Sequence, residues 1–185
     1  FYVAGADVHW VLGQSTFSPP DWLPCYAISD FQEYLQTVEY VASQYQCDVG
    51  VFSAAVADYE VATPYPGKYP SGEELTLQFQ KTPKVIERLH DNFPEMYKVT
   101  FKLESGLSHE ALLKIARERL QRHSELVVVN QVENNPQDHG TENANDQAAW
   151  LVTAQSAHPF VGKAAIAQGI VDHVKAARAP FIFEG

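Results

Sequence analysis

The sequence is poor in cysteine, in basic charge and in long apolar runs, and each shortage excludes something. Its two cysteines, Cys25 and Cys47, are too few for a disulfide scaffold and lack metal-ligand spacing, so a reducing cytoplasm is the default compartment. Thirteen Lys and Arg against 23 Asp and Glu give a formal charge of -10 and a pI near 5.0. That balance argues against a nucleic-acid partner held by phosphate neutralisation, and any anionic ligand must be met by local cations. No apolar run approaches the ~18 residues that span a bilayer, and no basic-then-apolar segment opens the chain. The chain therefore reads as soluble, with no membrane partner. There is no G-x-S-x-G elbow, no G-x-x-x-x-G-K-[ST] loop and no H-E-x-x-H, and the seven histidines never fall at i, i+4. The acidic stretch "ENNPQDHGTENAND", which holds His139, lacks calcium-loop spacing and reads as a solvated loop, so no metal site is expected among the side chains.

What is present is enough apolar residue, 45% of 185, to fill the core of one domain. "FYVAGADVHWVLG" reads as the tail of a helix, a turn at Gly5 and a strand over 6–12. "CYAI" (25–28) is a short strand, and Ser29 or Asp30 can cap a helix over "FQEYLQTVEYVASQY". "CDVGVFSAAVAD" is a continuous apolar run suited to a central strand covered on both faces. "LTLQFQ" (75–80) alternates like a strand, and Thr82-Pro83 opens the helix "PKVIERLHDNF", with proline where its missing N–H costs least. "YKVTFKLES" (97–105) is a strand, "SHEALLKIARERLQRHS" (108–124) a helix with Ser108 as cap, and "ELVVVNQV" (125–132) a strand ending in polar residues. "AAWLVTAQ" reads as an edge strand and "KAAIAQGIVDHVKAA" as a closing helix. This alternation predicts an α/β, doubly wound (Rossmann-like), mostly parallel sheet with helices on both faces.

In such sheets ligands bind beyond the carboxyl ends of the strands. Four polar endings stand out there: Asp58 after 49–56, Phe101 and Lys102 on 97–103, Asn130 after 125–129, and "KTP" (81–83) opening a helix, where free N–H groups and the dipole suit a phosphate. Asp58 is equally compatible with capping or turning the chain. Lys68, in the proline-rich "TPYPGKYPSGEE", can close over bound phosphates or serve as a solvated surface lysine.

"AAVADYEV", a lysine ten positions after the Asp, "GEELTLQFQKTPKVI", "VTFKLES" and "ELVVVNQV", in this order, resemble the phosphopantothenoylcysteine synthetase (phosphopantothenate–cysteine ligase) family, the C-terminal-like domain of the DNA/pantothenate metabolism flavoproteins. The resemblance implies a ligase of coenzyme A biosynthesis. 4'-Phosphopantothenate is activated by CTP or ATP, with Mg2+ accompanying the nucleotide, and cysteine then displaces the nucleotide from the acyl intermediate. It implies nucleotide contacts at Ala54, Ala55, Asp58, Phe101 and Asn130, and Lys102 joins them as a candidate from its place on the strand 97–103. Lys68 falls at the family's loop lysine, near the triphosphate, so Lys68 and Asp58 are the implied catalytic pair. Lys81, Thr82 and Pro83 fall at the family's "KNPD" or "KTPD" segment, and Arg122 falls near a basic residue of the preceding helix. The resemblance also implies a cytoplasmic homodimer.

Two departures matter. Lys68 is followed by Tyr69-Pro70-Ser71 where the bacterial loop reads roughly "KIKK". The family's N-terminal strand, its "GGT" turn and an Asn-bearing loop are not found in residues 1–185, so a single domain truncated at the N-terminus is expected. "FKLES" is closer to stand-alone members than to fused bifunctional ones, so no decarboxylase domain is expected alongside it. Two rival readings follow. One is a non-catalytic nucleotide- or pantothenate-binding module of the same fold. The other is an NAD(P)-dependent oxidoreductase, which needs an upstream G-x-G-x-x-G and an acidic residue after the second strand, where Asp30 is what the sequence offers.

Overall fold

Runs of apolar side chains, continuous in the middle strand, build the central sheet. In a computed structural model, which describes residues 1–16, 18–69, 72, 74–132 and 147–182, five strands hydrogen-bond in one sheet. In spatial order they are β3 (Val49–Phe52), β6 (Tyr97–Ser105), β7 (Leu126–Val132), β8 (Ala148–Val152) and β9 (Ala157–Val161). β3, β6 and β7 run parallel, and β8 and β9 add on antiparallel. β1 (Trp10–Leu12) pairs in parallel with β2 (Cys25–Ala27), and β4 (Tyr59–Val61) pairs with β5 (Phe79–Lys81) as a separate antiparallel ribbon.

Because successive strand residues face opposite sides, β7 feeds two cores at once. Leu126 and Val128 pack with Val99, Leu151 and the Ile166, Ile170 and Val174 stripe of α4 (Lys163–Ile182). Val127 and Val129 pack with Val152 and with Leu112 and Ala116 of α3 (His109–Leu120). A third cluster joins Tyr34, Leu35 and Val38 of α1 (Phe31–Gln44) to Val85 and Leu89 of α2 (Val85–Asn92). The α/β architecture with a mostly parallel core and helices on both faces is therefore as the alternation predicts.

Local chemistry sets the element ends. The Asp30 side chain accepts the Glu33 N–H at 2.8 Å, so Asp30 rather than Ser29 caps α1, while the Ser108 Oγ accepts the Ala111 N–H at the start of α3. Gly5, at φ 90, closes a 3-10 turn over Tyr2–Ala4 in the left-handed region that favours glycine. Gly169 lets α4 lie close on β9, since a Cβ there would stand 2.7 Å from the Phe160 ring.

Several expectations are corrected. The first strand covers Trp10–Leu12 rather than 6–12, and the apolar run after Cys47 is strand only over Val49–Phe52. β3 ends the hydrogen-bonded order of its sheet, with Val51 42% exposed, so it is not a central strand covered on both faces. "LTLQFQ" is strand only from Phe79, paired with the unforeseen β4. α2 starts at Val85 with Lys84 as N-cap, which puts Pro83 just outside the helix instead of at its first position. β8 is interior, because β9 covers it; β9 carries Pro159, which fits an edge strand. The loop 133–146, with His139, lies outside the described residues.

Candidate active site

The antiparallel ribbon organises the site. Its register sets Tyr59 opposite Lys81, which brings Asp58 beside Thr82. Thr82 then ties the two segments together: its N–H donates to the Asp58 carbonyl at 3.1 Å, and its Oγ1 donates to the Ala57 carbonyl at 2.6 Å. The Thr82 side chain is thereby buried, with the residue 6% exposed, while Lys81 and Pro83 on either side remain exposed.

Two residues beyond Thr82, Lys84 donates from Nζ to Asp58 Oδ1 at 2.5 Å. This hydrogen bond, reinforced by the lysine's charge, holds the Asp58 carboxyl below the usual carboxylate range, and Lys102 and Arg119 act in the same direction. Lys102 itself pairs with Glu104 at 2.9 Å. In an acidic protein, Lys84, Lys102 and Arg119 thus gather around one carboxylate, with Lys81 on the neighbouring ribbon strand. Lys68 is exposed on the segment between β4 and β5. That segment is folded by Tyr65 meeting Tyr69 edge-on at 5.0 Å and by the Tyr69 hydroxyl donating to the Glu74 carbonyl at 3.0 Å.

Ala54 and Ala55 lie on the exposed stretch that continues β3 and help line a cavity of about 700 Å3. The cavity also touches residues 9–15, Ile28, Phe31 and Tyr34, so it separates β1 from β3, which share no strand pairing. Phe101 is placed differently: its ring packs into the α4-side core, on the face opposite Lys102. Asn130 is within β7, opposite Leu103, rather than just past its end, and by alternation shares the α4 face with Val128 and Phe101. Arg122 sits in the turn leading into the start of β7, away from the strand ends that carry Asp58 and Lys102, so it does not join them.

The structure therefore brings Asp58, Lys81, Thr82, Pro83 and Lys102 into one neighbourhood, sets Ala54 and Ala55 on the wall of the cavity before them, places Phe101 and Asn130 on the opposite, α4 face of the sheet, and leaves Arg122 out. Sequence reasoning missed Lys84 and Arg119. The signal for Lys84 was present: it is the fourth letter of "KTPK", where the quoted family segments carry an acid. Asp30, the residue an NAD(P) reading requires, is already committed to the α1 cap. Among the described residues, no three His, Cys, Asp or Glu side chains converge to hold a metal ion.

Fold and site together define a doubly wound α/β domain with a cation-ringed carboxylate beyond its parallel strands. Comparison with known proteins places it further: the chain belongs to the DNA/pantothenate metabolism flavoprotein C-terminal domain family, whose model matches residues 1–177. It is 38% identical over 104 residues to the coenzyme A biosynthesis bifunctional protein CoaBC of Thermococcus kodakarensis, covering 56% of this chain and 26% of the relative. The CoaBC of Methanocaldococcus jannaschii is 30% identical over 106 residues, covering 57% and 26%. The chain thus spans about a quarter of the length of the curated relatives it matches. Among solved structures, the DNA/pantothenate metabolism flavoprotein from Streptococcus pneumoniae superposes with a TM-score of 0.77 at 21% identity, over 95% of this chain and 83% of that one. A Cab2 mutant in complex with phosphopantothenate-cysteine superposes with a TM-score of 0.58 at 16% identity, over 84% of this chain and 52% of that one.

Proposed function

We propose that this chain is the synthetase domain of a nucleotide-dependent ligase that joins 4'-phosphopantothenate to cysteine in coenzyme A biosynthesis. The observation that carries this reading is the family match over residues 1–177, and the carboxylate ringed by cations supports it. In the reaction, a carboxylate oxygen of phosphopantothenate attacks the α-phosphorus of CTP or ATP, and pyrophosphate leaves with the bonding electrons. The cysteine amine then attacks the acyl carbon, the nucleoside monophosphate departs, and the amine proton passes to solvent.

The chain's own residues supply charge and position. Lys68 and Lys81 face phosphate oxygens as they gain charge, Lys68 approaching on its loop. Asp58, kept ionised by its cationic neighbours, accepts hydrogen bonds from the nucleotide sugar or base, with Ala54, Ala55 and Pro83 shaping the approach. Lys102 adds positive charge behind Asp58, and Phe101 and Asn130 serve the same ligand from the α4 side of the sheet. Thr82 holds the Asp58 backbone in place. Mg2+ entering with the nucleotide would supply further positive charge to the triphosphate.

Two further features belong to this reading. The cavity between β1 and β3 has room for one more strand. A residue of sheet fills on the order of 160 Å3 from the spacings of strands and layers, so about 700 Å3 takes four or five residues. This supports a single domain completed by polypeptide outside residues 1–185. The β4–β5 region exposes Tyr59, Leu75, Leu77 and Phe79, an apolar surface of the kind that marks protein–protein contacts, which supports a homodimer.

The test is to incubate the full-length protein with 4'-phosphopantothenate, cysteine and either CTP or ATP. Release of one pyrophosphate per amide formed is expected. Nucleotide binding without pyrophosphate release would instead identify a non-catalytic binding module.

A further inference from the structure

The Lys84–Asp58 pair is built to be exchanged. Both side chains are open to solvent, at 57% and 70% exposure, so an incoming anion can reach the ammonium without disturbing the core. An exposed pair of this kind contributes little to stability, because solvent screens the charges and two long side chains must be ordered. A contact from lysine to a polyphosphate is a charge-assisted hydrogen bond of the stronger sort. The backbone around the pair is held firm. Thr82 anchors residues 57 and 58 through two hydrogen bonds, and Lys84 is the N-cap of α2, so the Lys84 side chain can swing while its Cα stays fixed. Of the other nearby cations, Lys102 is held by Glu104.

We propose that Lys84 is a phosphate-binding residue for the nucleotide that changes partners, releasing Asp58 as it takes hold of the triphosphate. The exchange does two things at once. It delivers a cation to the phosphates, and it leaves the Asp58 carboxylate free to accept hydrogen bonds from the nucleotide sugar or base. Before the nucleotide arrives, the same pair keeps Asp58 from repelling it. This inference rests on the nucleotide reading above.

Equilibrium titration of the full-length protein with CTP, ATP and the corresponding monophosphates tests it, using wild type, Lys84→Met, Lys84→Arg and Asp58→Asn at low and high salt. Lys84→Met is expected to weaken triphosphate binding at least tenfold and monophosphate binding less than threefold, and to flatten the salt dependence; Lys84→Arg should stay within threefold of wild type. Asp58→Asn, which removes the sugar or base contact, should weaken mono- and triphosphates alike. Equal weakening of both ligands by Lys84→Met, the pattern of Asp58→Asn, would reduce Lys84 to a structural partner and overturn the proposal. So would unchanged binding by Lys84→Met beside normal wild-type binding, with the nucleotide reading left standing. Failure of wild type to bind any nucleotide would overturn both.

Discussion

Replacing Thr82 with valine separates two roles for this residue. Sequence resemblance makes Thr82 a nucleotide contact, whereas the structure spends its hydroxyl on the Ala57 carbonyl at 2.6 Å and buries the side chain to 6% exposure. Valine keeps the shape and removes the donor. A neutral hydrogen bond contributes about 1 kcal/mol net, and an acceptor left without its partner raises the cost toward 2 kcal/mol. Ala57 is itself exposed, so water can partly replace the lost donor, which favours the lower figure. For a chain of this size, 1 to 2 kcal/mol corresponds to a drop in Tm of roughly 2–8 °C. The same loosening lets the Asp58 segment shift, and a displacement of about 1 Å at a site can cost on the order of 100-fold in rate. Urea denaturation and steady-state assays on wild type, Thr82→Val and Thr82→Ser read both effects. The expected result is a joint loss of stability and kcat/KM in the valine variant, with serine, which keeps the hydroxyl, close to wild type. Loss of activity in Thr82→Val at unchanged stability would refute the positioning role and return Thr82 to direct contact with substrate.

Other substitutions probe different parts of the molecule. Lys68→Ala should lower turnover at least tenfold while unfolding free energy stays within about 0.5 kcal/mol of wild type, because the side chain is exposed on its loop; unchanged turnover would remove Lys68 from the mechanism. Tyr97 has its pKa pushed up to about 12, chiefly by burial and then by the Glu125 carboxylate. A phenol whose folded value is raised contributes stability that is complete below pH 10 and is lost as pH climbs toward 12. Two units correspond to about 2.7 kcal/mol at most, and solvent screening at this partly buried ring reduces that to roughly 1–2 kcal/mol. Urea midpoints measured from pH 9 to 12 should therefore fall less steeply for Tyr97→Phe. Some slope should remain, since Tyr26, raised to about 12 first by its hydrogen bond with Tyr45, titrates over the same range. Identical slopes for the two proteins would show that Tyr97 is not the group responsible.

The legible parts of the sequence were those where one periodicity ran long enough to be unambiguous. β6 is strand over the predicted 97–105, and α1 and α3 follow their apolar stripes and caps. The β4–β5 ribbon was not legible, because each strand has three residues and their pairing spans a loop of 17 residues with no fixed period. β9 was hidden by Pro159, which counts against a strand unless the position is known to be an edge. At the site, residue types were readable but directions were not. Phe101 and Lys102 are neighbours in sequence, yet the pleat sends them to opposite faces, and only the pairing partners of β6 decide which face is which. Asn130 was misplaced for a related reason: a polar residue after four apolar ones looks like a strand end, although the ladder continues to Val132. The Lys84–Asp58 contact spans 26 positions and depends on ribbon register, which no local pattern encodes.

The cavity between β1 and β3 also bears on how the molecule comes apart. With no backbone ladder joining β1 and β2 to the main sheet, their attachment runs through side chains, Val11 and Ile28 packing against the α1–α2 cluster. Packing alone couples two regions less tightly than shared hydrogen bonds do, so amide protons of Trp10–Leu12 and Cys25–Ala27 are expected to exchange with solvent through a local opening that leaves β6 and β7 intact. The chain is therefore expected to open first at this boundary, along which Ala54 and Ala55 sit.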